Sequence, residues 1–326
     1  MTSSTTTLKP SSSSKEASTA LHSSAPQGVA KDKVACDLSH TPYSLPMSGP
    51  PVALSIAGSD CCAGAGIQAD LKTFSLLGVH GVTAVSAVVA ETPRMVHGIY
   101  HLSPAALQEQ IRILLDCYPV AAIKTGLLGS APHVTAVAEL LEGREQPLVV
   151  DPVLGSSTGT LFASEEVISA YRERLLPIAT LVTPNLPEAE RLLDDRAEPA
   201  PPDEHPALGV TRQLARELGT TVLLTGGHSI WNDQATDILC HRDEIHYFSH
   251  SRIDIPGAHG TGCAYSAAIT GFLARGLDMK KAIAGAKTHV TRVLRSSYTW
   301  PGVAPDNSVR TLNQLPDTIF DSGESK

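Results

Sequence analysis

Aromatic side chains make up only 4% of the 326 residues, so Ala, Val, Leu, Ile and Gly must do the packing. That mixture suits helices laid on a parallel sheet. No apolar run reaches the length of a membrane span, which excludes one. Positive charge is also short. The formal net charge is −8, and this argues against nucleic acid or an anionic membrane as the main partner. The six cysteines (Cys36, Cys61, Cys62, Cys117, Cys240 and Cys263) show no paired metal-type spacing. No histidine stands in an HExxH or CxxC…HxxxH pattern, so no zinc site is expected. Adjacent Cys61 and Cys62 are a poor disulfide pair, and a reduced compartment is the simplest reading. Two nucleotide signatures are missing as well. The loop after the first strand has no GxxxxGK[ST] lysine, and Gly58, Gly64 and Gly66 do not fit the dinucleotide spacing.

What is present is a large apolar fraction, 42% hydrophobic against 18% charged, enough for one large α/β domain or two ordinary ones. Residues 1–48 are rich in Ser, Thr, Ala and Pro and read as a disordered extension or a targeting segment. They contain no Arg, which weighs against a mitochondrial signal, and Met47 is an alternative start. From residue 49 strands and helices alternate. Strands are expected at Val52–Ala57, Gly81–Ala90, Val120–Lys124, Leu148–Val150, Ala179–Val182 and Thr221–Leu224. Helices are expected at Ile67–Leu77, Pro104–Asp116, Pro132–Leu141, Glu165–Leu176, Leu186–Leu193, Ala207–Leu218 and Met279–Ser296. Asp237–Cys240 and Ile245–Phe248 flank the polar Arg242-Asp243 pair and read as a hairpin. Residues 299–326 read as a loose tail. The fold class is therefore α/β, a doubly wound and mostly parallel sheet. In such sheets ligands lie beyond the carboxyl ends of the strands, where Asp60, Glu91, Lys124, Asp151, Asn185, Glu188, Gly226 and Gly227 fall.

The stretch Pro256 to Ala268 contains Gly257, Gly260 and Gly262 and leads into a small-residue helix. Helix-leading amides have no internal partners. With the dipole behind them they suit a phosphoryl group in transfer. Cys263 falls in the first turn, where the same field favours thiolate. The alternative is a glycine-rich turn before a packed helix.

Six segments then occur in order: Ala57-Gly-Ser-Asp with Gly64 to Phe74, Lys124-Thr-Gly-Leu-Leu, Asp151-Pro-Val, Thr183 to Ala189, Gly226-Gly-His, and His259-Gly-Thr-Gly-Cys. Together they resemble the hydroxymethylpyrimidine/phosphomethylpyrimidine kinases of thiamine synthesis, in the ribokinase-like superfamily. The resemblance covers roughly residues 52–297. It implies ATP- and Mg²⁺-dependent phosphorylation of 4-amino-5-hydroxymethyl-2-methylpyrimidine and then of its monophosphate, by a cytoplasmic homodimer. Organelle targeting by the extension is the alternative. The resemblance implies ring contacts at Gly58, Ala65, Asp70, Glu91, Leu127, Val153 and Cys263. It implies an anion hole at Gly260, Thr261, Gly262 and Cys263. ATP falls to Asn185, Glu188, Thr225 and Gly227, and Mg²⁺ to Asp151 and Glu188, through water.

Each of these residues also has a structural reading. Lys124 either neutralises phosphate oxygens or is a surface lysine. Asn185 and Glu188 either serve ion and phosphates or form a capping box, or both. Asp151 either orients the ion's water or holds a turn before Pro152. Asp70 either takes a hydrogen bond from the substrate or is a helix-surface acid. Cys263, as a thiolate near pKa 7, is the expected base for the hydroxymethyl group; otherwise it is a small buried thiol. The sequence departs from the family pattern at four places, one of them Cys61-Cys62-Ala63 in place of a Ser/Gly-rich run. Glu91 replaces Gln, Leu127 replaces Met, and Thr225 replaces Lys. An ionised Glu only accepts hydrogen bonds, where Gln also donates. Either Glu91 is protonated by burial or the ring binds differently. Rival functions are a pyridoxal kinase and a non-catalytic binding protein on the same fold.

Overall fold

Val52–Asp60 (β1) is almost wholly buried, because both faces of its strand meet helices. The computed structural model describes residues 49–92, 94–155, 163–194, 205–226, 234–253, 255, 258–300 and 309–315. The 1–48 extension and the calls on Gly227, Gly257 and His228 lie outside them. After β1 come Gly66–Leu76 (α1), His80–Thr92 (β2), Met95–His101 (β3), Pro104–Cys117 (α2), Val120–Thr125 (β4), Ala131–Leu141 (α3) and Leu148–Val150 (β5). Glu165–Ala170 (α4), Leu181–Val182 (β6), Leu186–Leu193 (α5), Pro206–Leu218 (α6), Val222–Leu224 (β7), Gln234–His241 (β8) and Glu244–Ser251 (β9) follow. Ala258–His259 (β10), Thr261–Ala274 (α7), Met279–Arg295 (α8) and Arg310–Thr311 (β11) complete the described order.

The large sheet runs β3-β2-β1-β4-β5-β6-β7-β8-β9. From β2 to β7 the strands are parallel, while β3, β8 and β9 add antiparallel edges. The expected doubly wound sheet is thus present. Alternate strand residues serve two cores. Leu54, Ile56, Val150, Val182 and Leu224 join the layer of α2 to α6. Val149, Leu181 and Leu223 face α7 and α8, and Ala53 and Ala122 meet Phe74 of α1. Chain order reverses at β1, whose neighbours are β2 and β4. A crevice at their carboxyl ends is the position the fold offers a ligand.

Three expectations need correction. The helix expected over Glu165–Leu176 is α-helical only to Ala170, then passes through a π turn at Tyr171–Leu175 and a 3-10 turn at Leu176–Ile178. Pro177, which lacks an amide hydrogen, sits in that last turn. β3 was unexpected, because its side chains are mostly exposed and give little apolar periodicity. The tail is not loose throughout: Arg310–Thr311 pairs with β10, and Gln314 is buried and donates to the Thr73 hydroxyl at 2.6 Å. The expected hairpin is there. Arg242 and Asp243 both take positive φ, as a two-residue turn of that hand requires.

Candidate active site

Two glycine loops are locked together at the carboxyl end of β1. The Asp60 carboxylate shapes the first by accepting the amides of Cys62, Gly64 and Ala65 at 2.6, 2.9 and 2.8 Å. The second carries Gly260, which holds φ +81° with the Gly64 carbonyl against its Cα; a Cβ there would lie 1.8 Å from that oxygen. α7 begins directly afterwards. Its first internal bond runs from the Ala264 amide to the Gly260 carbonyl, and no side chain caps it. The amides of Thr261, Gly262 and Cys263 precede that bond and so have no partner within the helix. A Cβ on Gly262 would meet nothing within 4 Å. Gly260→Ala is therefore expected to cost roughly a hundredfold or more in turnover, the scale of losing an oxyanion-hole donor. Steady-state kinetics on folded protein checks this, and near-normal turnover would show that the loop contact is dispensable.

Beneath these amides lies a buried polar floor. Lys124 Nζ sits 2.9 Å from Asp70 Oδ2, and both side chains are fully buried. Ser55 of β1 donates to the same oxygen at 2.5 Å. Neither residue takes its structural alternative: Lys124 is not a surface lysine and Asp70 is not a helix-surface acid. Burial pushes the Asp70 carboxyl up. Burial also pulls on Lys124, but the negative charges of Asp70, Cys263 and Asp151 outweigh it and hold the ammonium above its ordinary value. Two donors converging on one oxygen favour the ionised pair. Asp70 Oδ1 has no partner among the described residues, an acceptor left for a ligand donor.

Cys263 overturns one expectation. Burial pushes its thiol up to about 12, with Lys124 opposing and Asp151 and Asp70 adding to the rise. The helix field does not produce a thiolate near 7, because burial disfavours the charged sulfur first and the neighbouring carboxylates add to that. Asp151 is itself buried and raised by burial, and accepts from Ser266 of α7 at 2.9 Å.

The residues expected to contact the ring come from several elements. Gly58 is buried within ordinary reach of Leu127 and Val89, and Ala65 precedes α1. Val153 is half-buried after β5. Burial and then the Asp60 charge push the Glu91 carboxyl up to about 7, with His259 opposing. Asp60 goes the other way. Burial alone would raise it, but His259, 3.4 Å away, and the Ala65 and Cys62 amides bring it to about 2. Burial and the Asp60 charge thus shift Glu91 toward its protonated form.

Asn185 and Glu188, expected at the nucleotide, do form a capping box. Glu188 accepts the Asn185 and Leu154 amides at 3.1 and 3.2 Å. Burial and the Asp151 charge still push it up to about 7. Asp151 thus raises Glu188, and a cation would relieve that repulsion; this oxygen donor set fits Mg²⁺. Because Glu188 is already engaged by amides, contact through water suits it. Thr225 bridges to Asn185, and the neighbouring Gly226 amide is held by Asp237 at 2.7 Å. Sequence reasoning missed Ser55, Ser266 and Asp237. A lone serine inside an apolar strand was the available signal for Ser55. Asp237 also accepts from Tyr265 and Lys287 at 2.7 and 2.8 Å, and no local pattern announces that.

A doubly wound sheet with uncapped helix-start amides above a buried lysine–carboxylate floor defines a small-molecule phosphotransferase. The particular family follows from comparison with known proteins. Residues 60–304 match the family described as phosphomethylpyrimidine kinase, and the chain belongs to it. It is 39% identical over 253 residues to a hydroxymethylpyrimidine/phosphomethylpyrimidine kinase of Streptomyces coelicolor, covering 78% of this chain and 92% of that one. It is 41% identical over 266 residues to the thiamine biosynthesis bifunctional protein ThiED of Geobacter sulfurreducens, covering 81% of this chain and 53% of that one. The chain thus spans about half the length of that bifunctional relative. Among solved structures, the ADP complex of Bacillus subtilis pyridoxal kinase superposes with a TM-score of 0.71 at 33% identity, over 81% of this chain and 97% of that one.

Proposed function

We propose that the chain transfers the γ-phosphoryl group of ATP first to the hydroxymethyl group of 4-amino-5-hydroxymethyl-2-methylpyrimidine and then to the resulting monophosphate. The observation that carries this is the set of uncapped amides at Thr261 to Cys263 above Lys124 and Asp70. Phosphoryl transfer needs positioning and charge neutralisation above all. The amides receive the charge on the moving group, and Lys124 supports the floor beneath it. Asp70 Oδ1 accepts from the substrate's amino or hydroxyl group. Asp151 and Glu188 would hold Mg²⁺, which neutralises phosphate charge when bound. The ADP-bound relative supports ATP as donor. Free thiols at Cys61, Cys62, Cys117, Cys240 and Cys263 support a reduced, cytoplasmic-type setting. Among the described residues no helix is long and apolar enough to cross a membrane. Exposed Val88, Met95 and Tyr100 along β2 and β3 support a homodimer.

The direct experiment is ATP consumption with the pyrimidine, its monophosphate and pyridoxal, side by side. Turnover of both pyrimidines is expected; turnover of pyridoxal alone would replace this reading. Pyridoxal is kept as a second reading because of Glu91 and the pyridoxal kinase relative. A neutral carboxyl at Glu91 can donate and accept, as an amide does. Glu91→Gln is therefore expected to leave the KM for the pyrimidine within about threefold of wild type, whereas Glu91→Ala raises it about tenfold or more, the cost of one lost hydrogen bond to a ligand. A Gln variant as impaired as the Ala variant would show that Glu91 acts as an anion.

A further inference from the structure

Side chains not used in phosphoryl transfer collect at the turn leaving β1. The thiols of Cys61 and Cys62 both donate to the Glu91 carbonyl oxygen, at 3.2 and 2.8 Å. Two sulfurs aimed at one oxygen must lie close together. With a carboxylate oxygen of Asp60, they lie within 4.8 Å of one another. Asp60 belongs to a second group of the same size, with the Glu91 carboxylate and a His259 ring nitrogen. A buried carboxylate thus stands between two thiols and a carboxyl–imidazole pair.

We infer that Asp60, Cys61 and Cys62 form a binding site for a thiophilic divalent cation of the Zn²⁺ and Cd²⁺ type. Two sulfurs select borderline and soft ions, whereas Mg²⁺ prefers oxygen alone. The site therefore does not draw on the Mg²⁺ that accompanies the nucleotide. A tetrahedral ion with ligands at about 2.0–2.3 Å needs its donors roughly 3.5 Å apart. The three donors already lie within 4.8 Å of one another and would draw together on binding. Oδ1 of Asp60 accepts the Cys62 amide, whereas Oδ2 takes Gly64 and Ala65, so Oδ1 is the oxygen with room for an ion. Cys61 is exposed and Asp60 buried, so the ion enters from solvent and keeps an open fourth position. Binding releases two thiol protons to solvent. It also removes both thiol bonds to the Glu91 carbonyl and so disturbs Glu91, which the proposed function places at the substrate ring. Occupancy of the site thereby weakens pyrimidine binding.

Cd²⁺ titration of the full chain without nucleotide tests this, read by thiolate-to-cadmium absorption and by calorimetry. One equivalent is expected in wild type and in Cys117→Ala. Cys61→Ser/Cys62→Ser loses the absorption band, and Cys61→Ser alone weakens binding at least about tenfold with an unchanged thermal unfolding midpoint. Zn²⁺ displaces the bound Cd²⁺, and one equivalent of Cd²⁺ raises the KM for the pyrimidine in wild type but not in the double variant. A full band in the folded double variant would place the ion on other cysteines and overturn the assignment. So would the absence of stoichiometric binding in wild type.

Discussion

Lys124→Met lowers the stability of the folded chain by about 3–5 kcal/mol and abolishes phosphoryl transfer. The size of the effect follows from burial. Lys124 and Asp70 are both fully buried and 2.9 Å apart, so removing the ammonium leaves a carboxylate with, among the described residues, Ser55 alone to satisfy it. The partner experiment separates stability from chemistry. Replacing a buried ion pair by apolar groups of similar volume is often neutral or stabilising. Lys124→Met/Asp70→Leu is therefore expected to recover most of the lost stability and none of the turnover. Urea unfolding and ATP consumption on the same three proteins decide the matter. A single variant as stable as wild type would mean that the pair is not ionised.

The second large effect concerns Cys263. Cys263→Ala is expected to reduce turnover of the hydroxymethylpyrimidine about 10²- to 10⁴-fold, the range of a lost general base. Turnover of the monophosphate falls far less, because a phosphomonoester with a second pKa of about 6 has already lost its proton. The thiol, pushed up to about 12, adds a pH signature. An acid raised that far is protonated at neutral pH, and its thiolate fraction grows about tenfold per pH unit below the pKa. Turnover in the first step should therefore climb from about pH 7 to about pH 9 in wild type. The second step should not climb, and neither should Cys263→Ala in the first. Equal losses in both steps, or a flat profile in wild type, would remove the base role and leave Cys263 as a packing residue.

The elements themselves were legible because their apolar periods are local. Leu148–Val150 and Leu186–Leu193 are found where periodicity puts them, and the Arg242-Asp243 turn carries its own backbone preference. β3, β10 and β11 were not legible, since short or exposed strands owe their existence to a partner rather than to a pattern. At the site, the glycines were readable as places of close approach, and Gly260 against Gly64 bears this out. The protonation of the site was not readable. Cys263 was expected near 7 from its place in a helix's first turn, a local argument. Burial in the folded chain, with Asp151 and Asp70 of other elements adding to it, reversed it.

Residue order alone decided the doubly wound architecture, the ends of the strands where chemistry gathers, and the family, because all three are written in short segments. Only the folded chain decided that Lys124 is a buried ion-pair partner and that Glu91 sits beside Asp60. It also decided that Cys61 and Cys62 converge on the Glu91 carbonyl. The reason is electrostatic and geometric. A charge's behaviour depends on its burial and on neighbours within a few ångströms, and those neighbours come from strands and helices far apart in sequence.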